Sequence, residues 1–243
     1  MITLKTLINE LRQAFGEKMK LPFAICYSQT PAGEEVAMPH CMFEALPMIE
    51  QGKIITFSAE KLHCGGGRLY CGYNSYNPAI GRFVSGKEYY KKTPEMVDEF
   101  IKSMNLHLTD KPYLNFARID RLESLEGVEG IVFIGNADVI SGLTAWAWYD
   151  NNDRESVSCQ WSSGCSATIS LLTIENRDKG KRTFLGMFDL SVRKWLKADE
   201  MSFAIPMSRL NDMAETLNKC ALFNSPAWQG VKERINCFHC SEK

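Results

Sequence analysis

Four cysteines stand beside glycines in two short stretches of the sequence, and these are the residues expected to do chemistry. The first cysteine segment is residues 64–72, CGGGRLYCG, and the second cysteine segment is residues 159–165, CQWSSGC. Thiolates bind soft metals and act as nucleophiles, and glycine lets a ligand approach the backbone closely because it has no Cβ. We therefore predict one functional site that combines the two segments.

The predicted metal ligands are the four thiols of these segments, which belong to Cys64, Cys71, Cys159 and Cys165. Four thiolates suffice for a tetrahedral zinc ion or an iron–sulfur cluster if the fold brings the segments together. The spacing within each segment is wider than in the tight pairs of structural zinc sites. Cysteine is also a common core residue, so the alternative of four small apolar side chains in a core stays open.

The three consecutive glycines predict a ligand cradle. Their N–H groups can point at one anion or small ligand, and two arginines add positive charge. The predicted ligand-binding residues are Gly65, Gly66, Gly67, Arg68 and Arg82. The segment lacks the lysine of a phosphate loop and the third glycine of a dinucleotide motif. A glycine-rich bend between a strand and a helix is the structural alternative.

No complete catalytic motif accompanies these residues. The histidines at positions 40 and 63 are adjacent to cysteines in sequence, and neighbours on an extended chain point apart. No nucleophile elbow or zinc-protease helix is present. Two further hypotheses stay beside the metal or small-ligand site. One is an enzyme whose single activated cysteine is Cys64 or Cys165, and the other is a non-catalytic, homodimeric interaction module.

Composition limits the class of protein. The 243 residues carry 28 basic and 29 acidic side chains, a formal charge of -1, which argues against nucleic acid or a membrane surface as partner. An apolar fraction of 45% predicts a globular fold. The amino terminus lacks the apolar region of a signal peptide, and no apolar stretch is long enough to cross a bilayer. An odd number of cysteines without an export signal predicts reduced thiols and a cytoplasmic location.

Periodicity predicts an α+β fold, a single domain with a mixed, partly antiparallel sheet and packed helices. Strands are predicted at residues 22–27, 54–57, 115–119, 130–134, 183–188 and 201–205. Helices are predicted at 4–15, 41–51, 93–104, 136–146, 164–172 and 208–222, with Met96, Phe100 and Met104 on the buried face of the third. The domain is expected to span residues 1–225, followed by a C-terminal helix or tail, residues 226–243, that carries Cys237 and Cys240. The order of elements also suggests a duplication, with an aromatic strand near residues 81–83 matching one at 184–186.

Four motifs occur in a distinctive order: residues 64–72, residues 131–143 (IVFIGNADVISGL), Gly164-Cys165-Ser166, and residues 199–206 (DEMSFAIP). This set resembles the uncharacterised ArCR family (domain of unknown function 169) from about residue 20 to 220. The resemblance implies a single domain found in bacteria and archaea and supplies no reaction. It also implies that the surroundings of Cys64 and of Gly164-Cys165 belong to the family pattern, whereas Cys237 and Cys240 lie outside it.

Overall fold

The centre of the protein is one eight-stranded sheet, seen in a computed structural model that describes residues 2–38 and 40–237. Its strands are β1 (Phe23–Ser28), β2 (Glu34–Glu35), β3 (Ile55–Ser58), β4 (Tyr113–Arg118), β5 (Val128–Gly135), β6 (Val157–Ser158), β7 (Thr183–Gly186) and β8 (Met201–Pro206). Each of the six predicted strands is present. β2 and β6 were not predicted, because two residues are too few to show an alternating pattern.

The strand order is β2-β3-β4-β1-β5-β8-β7-β6. The two edge strands lie parallel to their neighbours, and all other pairs in this sheet are antiparallel. The protein is therefore a single α+β domain with a mixed, partly antiparallel sheet, as predicted. Counted outward from the centre, the first half of the chain gives β1-β4-β3-β2 and the second half gives β5-β8-β7-β6. The two halves thus share one topology, which supports the suggested duplication.

The helices are α1 (Leu4–Phe15), α2 (Leu46–Glu50), α3 (Gly65–Tyr70), α4 (Pro78–Gly86), α5 (Pro94–Ser103), α6 (Ala137–Trp148), α7 (Leu171–Arg177), α8 (Leu190–Arg193), α9 (Met207–Thr216), α10 (Ala221–Asn224) and α11 (Pro226–Asn236). Short 3₁₀ turns occupy Met42–Ala45, Ile119–Arg121 and Leu217–Lys219, and a π-helical stretch, Ser166–Ser170, leads into α7. Within residues 2–38 and 40–237, none of the helices combines the length and the apolar character that crossing a bilayer requires.

Both faces of the sheet are buried, because alternate side chains of the central strands point to opposite sides. In β5, Val132 and Ile134 join the core of one face, which we call the front face, and Ile131 and Phe133 join the core of the back face. The front core includes side chains of α2, α3, α5, α7 and α8, and the back core those of α1, α6, α9, α10 and α11. The sheet is thus the middle layer of three.

Local sequence signals account for most helix ends. The Thr3 hydroxyl accepts the Thr6 N–H and caps α1, and Gly16 ends that helix with a φ of 95°. Pro47 splits the predicted helix at 41–51 into a 3₁₀ turn and α2. The predicted buried face of α5 is wrong at Met96, which is exposed, because Val97, Ile101 and Met104 form the buried stripe at helical spacing.

The predicted aromatic strand near residues 81–83 is also wrong, because these residues lie inside α4. Asn77 caps this helix by accepting the Ala79 N–H, and Pro78 occupies its first turn. Asparagine followed by proline is a strong helix start. The duplication therefore rests on strand order and not on the residues that first suggested it.

The C-terminal helix α11 packs on the back face. Trp228 places its ring edge-on against Phe15 with 5.4 Å between ring centroids, and its indole N–H donates to the Ala14 carbonyl over 2.8 Å. Cys237 follows α11 and is exposed, and Cys240 lies outside the described residues.

We expect Trp228→Ala to lower the free energy of unfolding by about 3 kcal/mol, because it removes a buried ring and leaves the Ala14 carbonyl without its donor. Urea denaturation followed by circular dichroism measures this. Trp148→Ala is the control, because that ring is 57% exposed, and it should change stability by less than about 0.5 kcal/mol. If Trp228→Ala lowered the free energy of unfolding no more than Trp148→Ala does, the packing of α11 would contribute no stability to the domain.

Candidate functional site

A cavity of about 810 Å³ opens on the front face, and we call it the central cavity. Four chain connections line it. Cys41 and Phe43 come from the β2–β3 connection, and residues 160–165 come from its counterpart between β6 and β7. Residues 64–67 come from the β3–β4 connection, and residues 188–194 from its counterpart between β7 and β8. The shared topology of the two halves therefore brings both cysteine segments to one site.

The glycines of the first cysteine segment form the start of a helix, so the alternative of a glycine-rich bend is wrong. Cys64 is the N-cap of α3, and its Sγ accepts the Gly67 N–H over 3.3 Å. This bond satisfies one of the N–H groups that the first turn of a helix leaves free. The N–H groups of Gly65 and Gly66 have no acceptor among the described residues. This helix was not predicted, because three consecutive glycines have poor helix propensity.

Backbone conformation does not explain these glycines. None of the three has a positive φ. A Cβ on Gly65 would meet no atom within 4 Å, and a Cβ on Gly66 would lie 3.9 Å from the sulfur of Cys64 and 4.0 Å from the ring of Tyr70. Cys64 and Tyr70 both line the central cavity, so a side chain on Gly66 would lie in it. Glycine here leaves cavity volume free, at a cost in helix stability of about 0.5–1 kcal/mol per residue.

The second cysteine segment also ends in a helix. Ser163 caps it by accepting the Ser166 N–H over 3.2 Å, and the helix continues through the π-helical stretch into α7. The Ser170 hydroxyl donates to the Tyr70 carbonyl over 2.7 Å. This bond joins α3 to the helix that begins in the second cysteine segment.

The four predicted metal ligands are placed differently from one another. Cys64 and Cys165 line the central cavity, Cys71 is fully buried beside it, and Cys159 is exposed and does not line it. Burial raises the pKa of Cys71, and it raises that of Cys165 well above its usual value, so both are neutral thiols at pH 7. In residues 2–38 and 40–237, no group of three or more histidine, cysteine, aspartate or glutamate side chains has the geometry to hold a metal ion.

The structure adds a third thiol to the cavity wall, that of Cys41. Burial raises the pKa of Cys41 to about 11. It is close enough to the other two thiols that negative charge on Cys64 would raise the pKa of Cys41, and negative charge on Cys41 would raise that of Cys165. Sequence spacing could not find Cys41, because only the order of the strands brings the β2–β3 connection to the site.

The predicted arginines do not line the cavity. Arg82 is exposed on α4, and Arg68 is half-buried in the last turn of α3. The charged side chains that do line it are Glu88, Asp189 and Lys194, none of which the sequence indicated. Isolated charged residues in loops carry no pattern, so no sequence signal marked them.

Across the cavity mouth, Tyr90 is hydrogen-bonded to Asp189. The Tyr90 hydroxyl donates to Asp189 Oδ1 over 2.7 Å, and this oxygen also accepts the Ser191 N–H and the Ser191 hydroxyl, each over 2.8 Å. The last two bonds cap α8. The loop after α4 is therefore tied to the start of α8.

A family model described as uncharacterised ArCR, domain of unknown function 169, matches residues 14–216. The chain belongs to this family. The matched range contains all eight strands of the sheet and every residue that lines the central cavity, whereas α11 lies beyond it. No curated protein and no solved structure matches the chain. The family thus shares the part of the chain that builds the site.

We expect Gly66→Ala to raise the free energy of unfolding by about 0.5–1 kcal/mol, because alanine favours the helix and its methyl group meets no clash. Urea denaturation of the ligand-free protein measures the change. Gly230→Ala in α11 is a matched substitution, since a Cβ there also has nothing within 4 Å. It should stabilise by a similar amount. Destabilisation at Gly66 alone would mean that glycine is needed there for the fold and not for cavity space.

Proposed function

We propose that the protein binds a small organic molecule in the central cavity, between the two cysteine segments. The observation that carries this proposal is the cavity itself, whose volume of about 810 Å³ lies in the range of ligand pockets, roughly 300–1,000 Å³. Its size is that of a metabolite and much larger than a single metal ion. The connections of both halves contribute to its wall, so the site depends on the whole sheet.

The chemistry of the wall supports an organic ligand. Much of the lining is aromatic or aliphatic, and it includes Phe43, Tyr70, Phe83, Trp161 and Phe188. A few polar side chains lie among these apolar ones. At the three glycines of the first cysteine segment, the backbone itself lines the cavity. Apolar walls with few polar groups are typical of small-molecule sites, because the walls supply affinity and the polar groups supply orientation.

The metal alternative has less support. A four-thiolate site would need Cys159, which is exposed and outside the lining, and it would need Cys71 and Cys165 as thiolates, whereas burial favours their neutral forms. We therefore favour the small-ligand alternative over zinc or an iron–sulfur cluster. Stoichiometric zinc or iron in protein purified without oxygen would contradict this choice.

Fluorine NMR with a neutral aromatic probe, para-trifluoromethylbenzyl alcohol, tests the proposal. We expect the probe signal to broaden with the wild-type protein and to stay sharp with Gly66→Leu, because the leucine side chain would lie between Cys64 and Tyr70 inside the cavity. Gly230→Leu in α11 is the control for a leucine placed on a helix outside the cavity, and it should leave the broadening unchanged. Equal broadening with Gly66→Leu would mean that the probe binds elsewhere, and the proposal would fail.

An enzyme that uses one activated cysteine is the second candidate, and the position of Cys64 favours it. Of the three thiols that line the cavity, Cys165 is buried and burial raises the pKa of Cys41 to about 11. Cys64 is half-buried and its Sγ accepts the Gly67 N–H, so the thiol is held at a fixed place in the wall where a bound ligand can reach it. This candidate requires a ligand with a carbonyl carbon: the Cys64 sulfur would form a C–S bond to that carbon, the π bond of the carbonyl would break, and the carbonyl oxygen would take up the proton that the thiol loses.

Alkylation by iodoacetamide at pH 8, followed by peptide mass spectrometry, measures thiol reactivity in the folded protein. We expect Cys64 to react, and Cys71 and Cys165 to stay unmodified until urea unfolds the chain, because burial shields both and raises their pKa values. Exposed Cys159 is the internal reference for an unhindered thiol. If Cys64 reacts more slowly than Cys159, the activated-cysteine candidate fails and the binding proposal is unaffected.

A further inference from the structure

The central cavity contains a carboxylate that no described residue neutralises. Glu88 lines the cavity just after α4 and is half-buried. Among the described residues its side chain makes no hydrogen bond and no ion pair, and burial and the nearby Asp189 are what raise its pKa. A carboxylate partly removed from water beside apolar walls is unfavourable unless a cation or a hydrogen-bond donor pairs with it. The free protein therefore leaves a place for a positive group at Glu88.

The other charged groups of the wall are already engaged. Asp189 accepts hydrogen bonds from Tyr90 and Ser191, and Lys194 holds its ammonium 4.8 Å from the centre of the Trp195 ring. Asp189 is also close enough to Glu88 for its negative charge to raise the Glu88 pKa, after the larger effect of burial. Among residues 2–38 and 40–237, two carboxylates and one lysine give the lining a net negative charge when His40 is neutral. This charge disfavours a polyanionic ligand such as a diphosphate.

The aromatic side chains of the wall also favour a ligand that carries a positive charge. Phe83 and Phe188 line the cavity and remain 54% and 44% exposed, so parts of their rings are free to contact a bound molecule. Phe83 lies on α4, the helix that leads directly to Glu88. Aromatic faces attract cations as well as apolar groups. A ligand with an apolar body and a basic nitrogen would use both the rings and the carboxylate.

We propose that the ligand of the central cavity is a cationic amine, whose basic nitrogen pairs with Glu88 and whose apolar body packs on the aromatic wall. This inference rests on the proposed function, since it names the chemical class that the same site takes. The N–H groups of Gly65 and Gly66, which have no acceptor among the described residues, would favour an anion instead. However, α3 has only six residues, so its dipole contributes little to anion binding. Because the charged side chains of the lining sum to a net negative charge, we favour the amine over an anionic ligand.

Three probes that share one aromatic body and differ in charge test the inference by fluorine NMR titration: para-trifluoromethyl benzylamine, benzyl alcohol and benzoate. We expect the amine to bind about tenfold more tightly than the alcohol, because its hydrogen bond to the carboxylate joins two opposite charges, and the benzoate to bind most weakly, because the carboxylate repels it. Glu88→Gln should remove most of the preference for the amine over the alcohol. Glu88→Asp, which keeps the charge, should retain the preference.

Glu99→Gln is the matched control, because Glu99 is exposed on α5 and lies outside the cavity lining. It makes the same change in net charge, and the preference for the amine should persist. Benzoate binding as tightly as the amine, or an amine preference that survives Glu88→Gln, would overturn the inference while leaving the cavity a ligand site. If none of the three probes binds the wild-type protein, the proposed function fails together with the inference.

Discussion

The antiparallel pairing of β1 with β5 is the interaction on which the rest of the structure depends. It joins the two halves of the chain, with Phe23 opposite Val132 and Ala24 opposite Ile131, and the register shifts between Ile25 and Cys26. A slip of one residue would exchange the front and back faces of a strand, so burial on both faces fixes this register. Once it is fixed, equivalent connections from the two halves meet over the front face and enclose the central cavity.

Buried polar contacts hold the first half of the sheet in place beside this pairing. The side chain of Asn115 in β4 is buried, accepts the hydroxyl of Thr56 in β3 over 2.7 Å and donates to the Ser28 hydroxyl over 2.8 Å. Because an unpaired buried amide is costly, these bonds select one arrangement of three neighbouring strands. The first cysteine segment follows β3 closely, so this arrangement also positions α3 at the cavity.

The site is built at some expense to local stability. Three glycines open a helix that alanine would favour, and the half-buried carboxylate of Glu88 has no partner among the described residues. The packing does not require glycine at two of these positions, since a methyl group fits at Gly65 and Gly66. Sites where local preferences are overridden without a structural reason are often functional, because ligand binding compensates for what folding gives up. Both features occur in the wall of the same cavity.

The sequence by itself determined the α+β class, the six longer strands and the helices α1, α5 and α6, and it predicted that the two cysteine segments lie together. These follow from local periodicity and from residue types, which a single stretch of chain expresses. Only the tertiary structure decided that α3 is helical, that Cys41 belongs to the wall and Cys159 does not, and that Glu88 and not Arg82 faces the cavity. The reason is that the wall is assembled from four connections distant in sequence, whose meeting depends on strand order and register, and neither leaves a local pattern.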